Sequence, residues 1–259
     1  MNPRRAVAFP RTLRPTVLHG AATALAVLFI GATSAACVEV RASDDVAFDG
    51  TGVAFVSARN DSGDVRISGR NSTAIDVTAT VWGKGSKEPR AQERQDTVDW
   101  SAQVEGDTLV LDGVAIENRS GVDFAVLAPT VLDLDLIADS GTVRIDDIEG
   151  IHTITATNVT GSTVGDLDVY GSSSVDLDFV PYVETDTYIE SGGSVTLAIP
   201  YGLDYDLTIR NDPSDSMDIA ELGWDELVLG EGFVNGIRGR GHIEIDIRAN
   251  GSVRIVELR

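Results

Sequence analysis

A strict alternation of apolar and acidic residues constrains this chain more than any other feature. The stretch "PTVLDLDLIADSG" (129–141) returns 71 positions later as "PYGLDYDLTIRND" (200–212). In a β-strand, successive side chains point to opposite faces, so the two sets separate. We predict that the prolines begin the strands and that one set faces inward and the other outward: Leu132, Leu134, Leu136, Leu203, Tyr205 and Leu207 inside, with Asp133, Asp135, Asp204 and Asp206 outside. A slip of one residue would bury the aspartates, so the register is firmly specified.

Glycine closes many other short alternating segments between residues 122 and 212. Ser140-Gly141, Thr160-Gly161, Gly171 and Gly192-Gly193 follow one another at steps of 20, 10 and 21 residues. Short strands and turns at a recurring spacing are typical of stacked coils. The sequence therefore predicts an all-β fold, and within that class a β-solenoid, similar to a β-helix, of short strands punctuated by glycine.

Four segments carry more local predictions. The polar stretch 83–96 is predicted to be an exposed loop with one helical turn. Residues 222–241 are predicted to be rich in loops or to form a helical turn around Trp224. Glu105-Gly106-Asp107 has the composition of a hairpin turn, and the C-terminal stretch "HIEIDIRANGSVRIVELR" is predicted to be a hairpin that turns at Asn250-Gly251.

The amino terminus has the order of a secretory signal. A basic start is followed by the short apolar run "AATALAVLFIGA" and then by "TSAAC", which ends at Cys37, the single cysteine. The segment resembles a bacterial lipobox, in which the cysteine is lipidated and becomes the first residue. Ordinary secretory cleavage would cut the same bond. We predict a signal peptide at 1–36, an anchor, tether or short strand at 37–49, a solenoid domain at 50–259, and membrane attachment through lipid on Cys37.

The net charge limits the classes of partner. The chain carries a formal charge of -21, and residues 1–37 contain four arginines and no acidic residue, so the remainder is more acidic still. Such a field repels nucleic acid and anionic lipid at long range. We therefore expect no nucleic-acid partner, and we expect a cell-surface protein or polysaccharide instead.

Three stretches carry a family resemblance. They are "VSARNDSGDVRISG", "LAPTVLDLDLIADSGTVRI" and "RGRGHIEIDIRANGSVRIVEL". Together they resemble the bacterial "putative adhesin" domain family, a domain of unknown function, over about residues 50–258. The resemblance implies a β-solenoid, a place in the cell envelope and frequent anchoring, and it brings no catalytic residues. Its motifs are structural, since any solenoid punctuated by glycine converges on them.

Stacked carboxylates offer the main alternative chemistry. The candidates for a metal site are Asp133, Asp135, Asp166, Asp168, Asp176 and Asp178. Strands stacked about 4.8 Å apart could bring such oxygens together for Ca²⁺, which takes six to eight oxygen ligands. This alternative is a Ca²⁺-dependent carbohydrate-binding or polysaccharide-degrading β-helix protein, with Arg144 or Arg210 as the nearest candidate base. Solvated surface aspartate is the simpler interpretation.

The remaining side chains favour a protein without catalysis. The imidazoles His152 and His242 lie in alternating strands, where a hydrogen-bonded or surface histidine is expected. Exposed aromatic residues could stack on sugar rings or contact a protein, although aromatics that alternate in strands more often belong to the core: Trp82, Trp100, Tyr170, Tyr182, Tyr188 and Tyr201. We predict a non-enzymatic, extracytoplasmic adhesin or structural surface module, with no resident cofactor unless Ca²⁺ binds.

Overall fold

The computed structural model describes residues 37–181, 186–219 and 223–258. Strands contain 73% of them and one short helix is present, so the predicted all-β class is confirmed. The elements are β1 (Val38–Asp49), β2 (Phe55–Asn60), β3 (Val65–Arg70), β4 (Ala74–Gly85), α1 (Glu88–Gln95), β5 (Val98–Glu105), β6 (Thr108–Ala115), β7 (Ser120–Pro129), β8 (Asp133–Pro181), β9 (Asp186–Ser191), β10 (Ser194–Pro200), β11 (Tyr205–Asn211), β12 (Met217–Ile219), β13 (Glu226–Gly230), β14 (Phe233–Arg238), β15 (Glu244–Ala249) and β16 (Val253–Leu258).

The strands form two series, which the long strand β8 joins. Series A begins with β5, β6 and β2, and β2 pairs with residues 133–138 of β8. It continues from residues 168–171 of β8 to β9, β15, β11, β14 and β13. Series B begins with β1, β4, β7 and β3, and β3 pairs with residues 143–146 of β8. It continues from residues 174–178 of β8 to β10, β16 and β12. The middle pairs of both series are parallel, and the antiparallel pairs lie towards the ends.

One apolar cluster collects the inward side chains of both series. The β8 residues alternate between buried and more exposed positions along most of their length. Leu134 in series A and Leu197 in series B are 1% and 0% exposed. At about 25 cal/mol for each Å² of apolar surface removed from water, this shared interior is the main source of stability.

The opening motif has the predicted orientation. Leu132, Leu134, Leu136, Tyr205 and Leu207 are buried, Leu203 is half-buried, and the four aspartates lie on the outer side of their strands. The prediction for the prolines was wrong, because Pro129 ends β7 and Pro200 ends β10. A last position suits proline as well as a first one, because little of the ladder remains to need its missing N–H.

Tight turns connect the two series. A Cβ atom on Gly192 would lie 2.3 Å from the Ser172 carbonyl oxygen, and one on Gly193 would lie 2.0 Å from that of Ser173. These turns therefore stack so closely on the preceding ones that a side chain does not fit. The glycines that the sequence singled out at 192–193 are required by this close approach.

Several local predictions need correction. Asn250-Gly251 does not close a hairpin, because β15 pairs in parallel with β9 and β11 while β16 pairs in parallel with β10 and β12. Residues 83–85 continue β4, and α1 is a helix of eight residues that buries Ala91 and Gln95. The antiparallel hairpin β13–β14 replaces the predicted loop or helical turn. The hairpin at Glu105-Gly106-Asp107 is confirmed.

The predicted tether is part of the sheet. Val38–Asp49 forms β1, which pairs with β4 along its whole length, and Cys37 directly before it is exposed. The predicted signal peptide at 1–36 lies outside the described residues. Within those residues, the single helix α1 is polar and too short to cross a bilayer.

Candidate functional site

The six aspartates proposed for a metal are divided between the two series. Asp133, Asp135, Asp166 and Asp168 lie in the series A part of β8 and are half-buried, whereas Asp176 and Asp178 lie in the series B part and are exposed. No group of three or more His, Cys, Asp or Glu side chains among the described residues is arranged so that it could hold a metal ion.

Two of these carboxylates have an unusual environment. One oxygen of Asp166 and one of Asp168 are shielded from solvent, and neither has a hydrogen-bond partner among the described residues. Asp133, by contrast, accepts a hydrogen bond of 2.8 Å from the Ile151 backbone N–H. Shielded oxygens without partners carry a desolvation cost. Asp166 and Asp168 are therefore the carboxylates of this set that would gain most from a cation.

The two candidate lyase bases lie in different series. Arg144 is in series B and donates from Nε to both carboxylate oxygens of Asp146, at 3.1 and 3.0 Å. This hydrogen bond and the negative charge of Asp146 raise the pKa of Arg144 further above its usual range. Arg210 is in series A, on β11. A guanidinium that stays protonated does not act as a general base.

His152 also differs from its prediction, because it is fully buried in β8. Its ring nitrogens lie near the backbone of Ile148 and Ile151 without a well-aligned hydrogen bond. Burial lowers the pKa of His152, and the polar backbone of Ile148, the charge of Asp133, the backbone of Ile151 and the charge of Asp166 oppose this only in part. The imidazole is therefore harder to protonate than a solvent-exposed one, and it belongs to the interior rather than to a site.

A groove runs across the ends of the series A strands. It consists of two adjoining cavities of about 380 and 400 Å³, both lined by Glu190, Ser191 and Asn250. The first cavity is also lined by Arg210, Asn211, Asp212, Arg248 and Ala249. The second is also lined by Ala138, Asp139, Thr155, Ala156, Tyr170, Gly171, Ser172 and Gly192. We call these two cavities the strand-end groove.

An aromatic and charged ladder borders the strand-end groove. The rings of Tyr170 and Tyr188 are 5.7 Å apart between centroids and tilted by 50°. The guanidinium of Arg248 lies over the Tyr188 ring, 5.3 Å from its centroid. The ring of Tyr188 therefore has neighbours in Tyr170 and Arg248, which fix its orientation.

Hydrogen bonds hold this ladder in place. The Tyr188 hydroxyl donates to a Glu190 carboxylate oxygen at 2.6 Å, and this bond, with burial, raises the pKa of Tyr188 to about 12. Arg210 Nη1 donates to both carboxylate oxygens of Asp246, at 3.0 and 2.9 Å. Arg248 reaches the same carboxylate at 3.6 Å. The two positive charges of Arg210 and Arg248 balance the two negative charges of Glu190 and Asp246, so this part of the surface is nearly neutral on an acidic protein.

Tyr170 is the exposed member of the ladder. Its side chain is 40% exposed, and the second cavity places it with the short side chains of Thr155, Ala156 and Ser172. Short neighbours leave room for a flat group beside the ring. The polar groups of Glu190 and Asn250 lie in the same cavity and can orient that group through hydrogen bonds.

The other predicted aromatics do not join this site. Trp100 packs edge-on against Phe124 at the core, and Trp82 donates from Nε1 to Asp123 at 3.0 Å. Tyr201 is 72% exposed and lies near Arg238. Tyr182 lies outside the described residues.

Sequence reasoning missed Glu190, Asn250 and Arg248 as groove residues. β8 and β9 pair at an offset of 20 residues, which places Glu190 directly opposite Tyr170, and the recurring spacing of about 20 residues in the sequence could have indicated this pair. No local signal shows that β15 lies between β9 and β11, and this insertion brings Arg248 and Asn250 to the groove.

Comparison with known proteins gives distant likenesses only. No known family model matches the sequence, and no curated protein matches it. A "putative cell adhesion protein" from Clostridium sporogenes is 10% identical, with 85% of this chain and 100% of that chain covered, at a TM-score of 0.45. A "putative adhesin" from Bacteroides fragilis is 10% identical, with 83% and 97% covered, at 0.35. A "Putative lipid binding protein" from Parabacteroides distasonis is 11% identical, with 83% and 96% covered, at 0.24. At these TM-scores the likeness establishes neither a shared fold nor a shared function.

Proposed function

We propose that this protein is an extracytoplasmic, lipid-anchored surface module that binds a cell-surface polysaccharide through the strand-end groove. The observation that carries the proposal is the partly exposed ring of Tyr170, which lies among short side chains and beside the polar groups of Glu190 and Asn250. The module has a binding role and no catalytic one. Its rigid strands would hold the groove at the cell surface.

A β-solenoid is the architecture that we propose for this module. The support comes from the parallel, in-register pairs of both series and from the single apolar cluster between their strands. The close approach of Gly192 and Gly193 to the preceding turn supports stacked coils as well. A rigid stack suits a binding module because little conformational entropy is lost when a ligand binds.

The anchor belongs to the same proposal. Cys37 is exposed directly before β1, and the sequence before it has the order of a lipoprotein signal. A lipid there would leave the whole strand region outside the membrane. We expect Cys37→Ser to shift the protein from the membrane fraction to the soluble extracytoplasmic fraction; a variant that stays in the membranes would contradict the anchor.

Carbohydrate is the ligand class that suits the groove best. The negative face of an aromatic ring attracts the polarised C–H groups of a sugar ring, and side-chain amides and carboxylates hydrogen-bond its hydroxyls. The formal charge of -21 disfavours nucleic acid and anionic lipid. A surface protein is the alternative ligand, and the experiment below measures binding to it separately.

The test measures retention on immobilised cell-surface polysaccharides and, separately, on surface proteins. We expect Tyr170→Ala to reduce polysaccharide retention about tenfold, because one stacked ring contributes roughly 1 kcal/mol or more. Tyr201→Ala is the matched control, since Tyr201 is more exposed and lies outside the groove. Equal retention of both variants would refute the groove, and binding to proteins alone would refute the ligand class.

Calcium-dependent carbohydrate binding is the second candidate. The shielded carboxylate oxygens of Asp166 and Asp168, which lack hydrogen-bond partners among the described residues, favour it. Calorimetry with millimolar Ca²⁺ tests it, because a bound ion must stabilise the fold. We expect Asp168→Asn to abolish any heat and any rise in Tm, and Asp176→Asn to leave both unchanged. The absence of heat from the unaltered protein would remove this candidate.

A further inference from the structure

The last strand of series A leaves an apolar edge uncovered. β13 pairs with β14, and within the described residues no strand pairs with its other edge. All five β13 residues are exposed, with Leu227 at 39%, Val228 at 59% and Leu229 at 64%. An edge of this kind presents free backbone N–H and C=O groups to another strand.

The strands that end the other side of the molecule are protected by charge. Among the described strands, β5 pairs with β6 alone and carries Asp99 and Glu105. β1 likewise pairs with β4 alone and carries Asp44 and Asp45. Charged side chains on an edge strand disfavour pairing between molecules. The three central residues of β13 have no such charge.

The exposed leucines continue the interior of the molecule. Leu229 is directly opposite Val234 of β14, and Val234 is 1% exposed. Leu227 and Leu229 therefore lie on the inner side of series A, while Val228 lies on the outer side opposite Asn235. Water contacts apolar surface where the interior layer reaches the end of the series.

We propose that β13 pairs antiparallel with β13 of a second copy of this chain. The pairing centres on Val228, so Val228 faces its own equivalent and Leu227 faces Leu229. Glu226 then faces Gly230, and no like charges oppose each other. A parallel, in-register pairing would place Glu226 beside Glu226, which is unfavourable. The sequence "ELVLG" is thus compatible with itself in one orientation.

This pairing closes at a dimer. Two identical patches related by a twofold axis satisfy each other and leave no free copy of the patch. The leucines of both copies lie on the same side of the joined sheet and cover one another. A strand of five residues buries less than a standard interface, so we expect a dissociation constant in about the micromolar range.

Register-specific cysteine cross-linking of the full chain tests the proposal. In a Cys37→Ser background, Val228→Cys should form a disulfide dimer under mild oxidation, because directly opposite Cα atoms in an antiparallel pair are about 4.5–5.5 Å apart. Leu227→Cys or Leu229→Cys alone should cross-link weakly, whereas a mixture of the two variants should cross-link well. Circular dichroism checks that each variant keeps its strands.

Ile151→Cys is the matched control. Ile151 is 55% exposed, close to the 59% of Val228, and it lies in β8 away from the β13 edge. We expect Val228→Cys to cross-link at least about tenfold faster than this control, because pairing raises the effective thiol concentration. Equal rates would overturn the proposal. It would also be overturned if Val228→Cys in intact cells joined only to a protein of different mass.

Discussion

Series A and series B share one interior pattern and have different outer surfaces. Both alternate buried aliphatic side chains with outward ones, and both contribute to a single apolar cluster. On the outside, series A carries Tyr170, Tyr188 and Arg248 around the strand-end groove. Series B carries short hydroxyl groups such as Ser194 and Ser252, whose oxygens are 3.2 Å apart. The interior fixes the fold, so the outer side of either series is free to carry a function.

The largest expected effects come from the shared interior. Leu134→Ala in series A and Leu197→Ala in series B should each lower the free energy of unfolding by about 2–5 kcal/mol, because each leaves a cavity in a packed core. Urea denaturation measures both values. If one substitution costs less than about 1 kcal/mol, the two series do not share one interior, and the comparison fails.

The next effect tests the turns between the series. Gly193→Ala should destabilise the protein by roughly 1–3 kcal/mol, because the new Cβ would lie 2.0 Å from the Ser173 carbonyl oxygen and the backbone must shift. Gly230→Ala is the control, since its nearest atom would be 3.7 Å away. Thermal unfolding of the two variants gives the difference. Equal Tm values would mean that the stacked turns are looser than the contact distances indicate.

Alternation let the sequence predict which side chains face inward, and it could not predict which strands pair. Leu134 and Tyr205 are buried as expected, because a period of two fixes the face of a residue. Asn250-Gly251 has a good hairpin composition, yet the strands it joins belong to different series. Turn composition describes only the local bend, whereas pairing depends on segments far away in the chain. The strand-end groove forms only because β15 lies beside β9, so the sequence could not predict the groove either.

A pH effect is expected from His152, which is buried in β8. Burial lowers the pKa of His152, so near and below pH 6.5 this group binds a proton more readily in the unfolded chain than in the folded protein. Stability from this group is complete above about pH 6.5 and falls as the pH drops below it, by at most about 1.4 kcal/mol for each pH unit. His152→Leu should remove this loss. Urea denaturation of both proteins between pH 7 and pH 5 should give diverging curves; parallel curves would contradict a buried, neutral imidazole.

The smallest effect compares one ion pair in each series. Arg210 contacts both carboxylate oxygens of Asp246, at 3.0 and 2.9 Å, in series A. In series B, Arg254 and Asp218 are 3.5 Å apart and their side chains are 62% and 68% exposed. An ion pair with two hydrogen bonds is stronger than a long, solvated one. A double-mutant cycle should therefore give a coupling free energy of roughly 0.5 kcal/mol in series A and about zero in series B.

Salt separates a true ionic coupling from a packing effect in that cycle. At 1 M salt the Debye length is about 3 Å, so charge interactions over longer distances are screened. The coupling free energy in series A should therefore fall towards the series B value. Arg210→Met keeps most of the side-chain length and removes the guanidinium, with its charge and its hydrogen bonds to Asp246. Equal coupling free energies in the two series would show that the outer surfaces differ in residue composition and not in the strength of their ion pairs. Because Arg210 and Asp246 border the strand-end groove, the same variants should also reveal whether the ordered charges there contribute to polysaccharide retention.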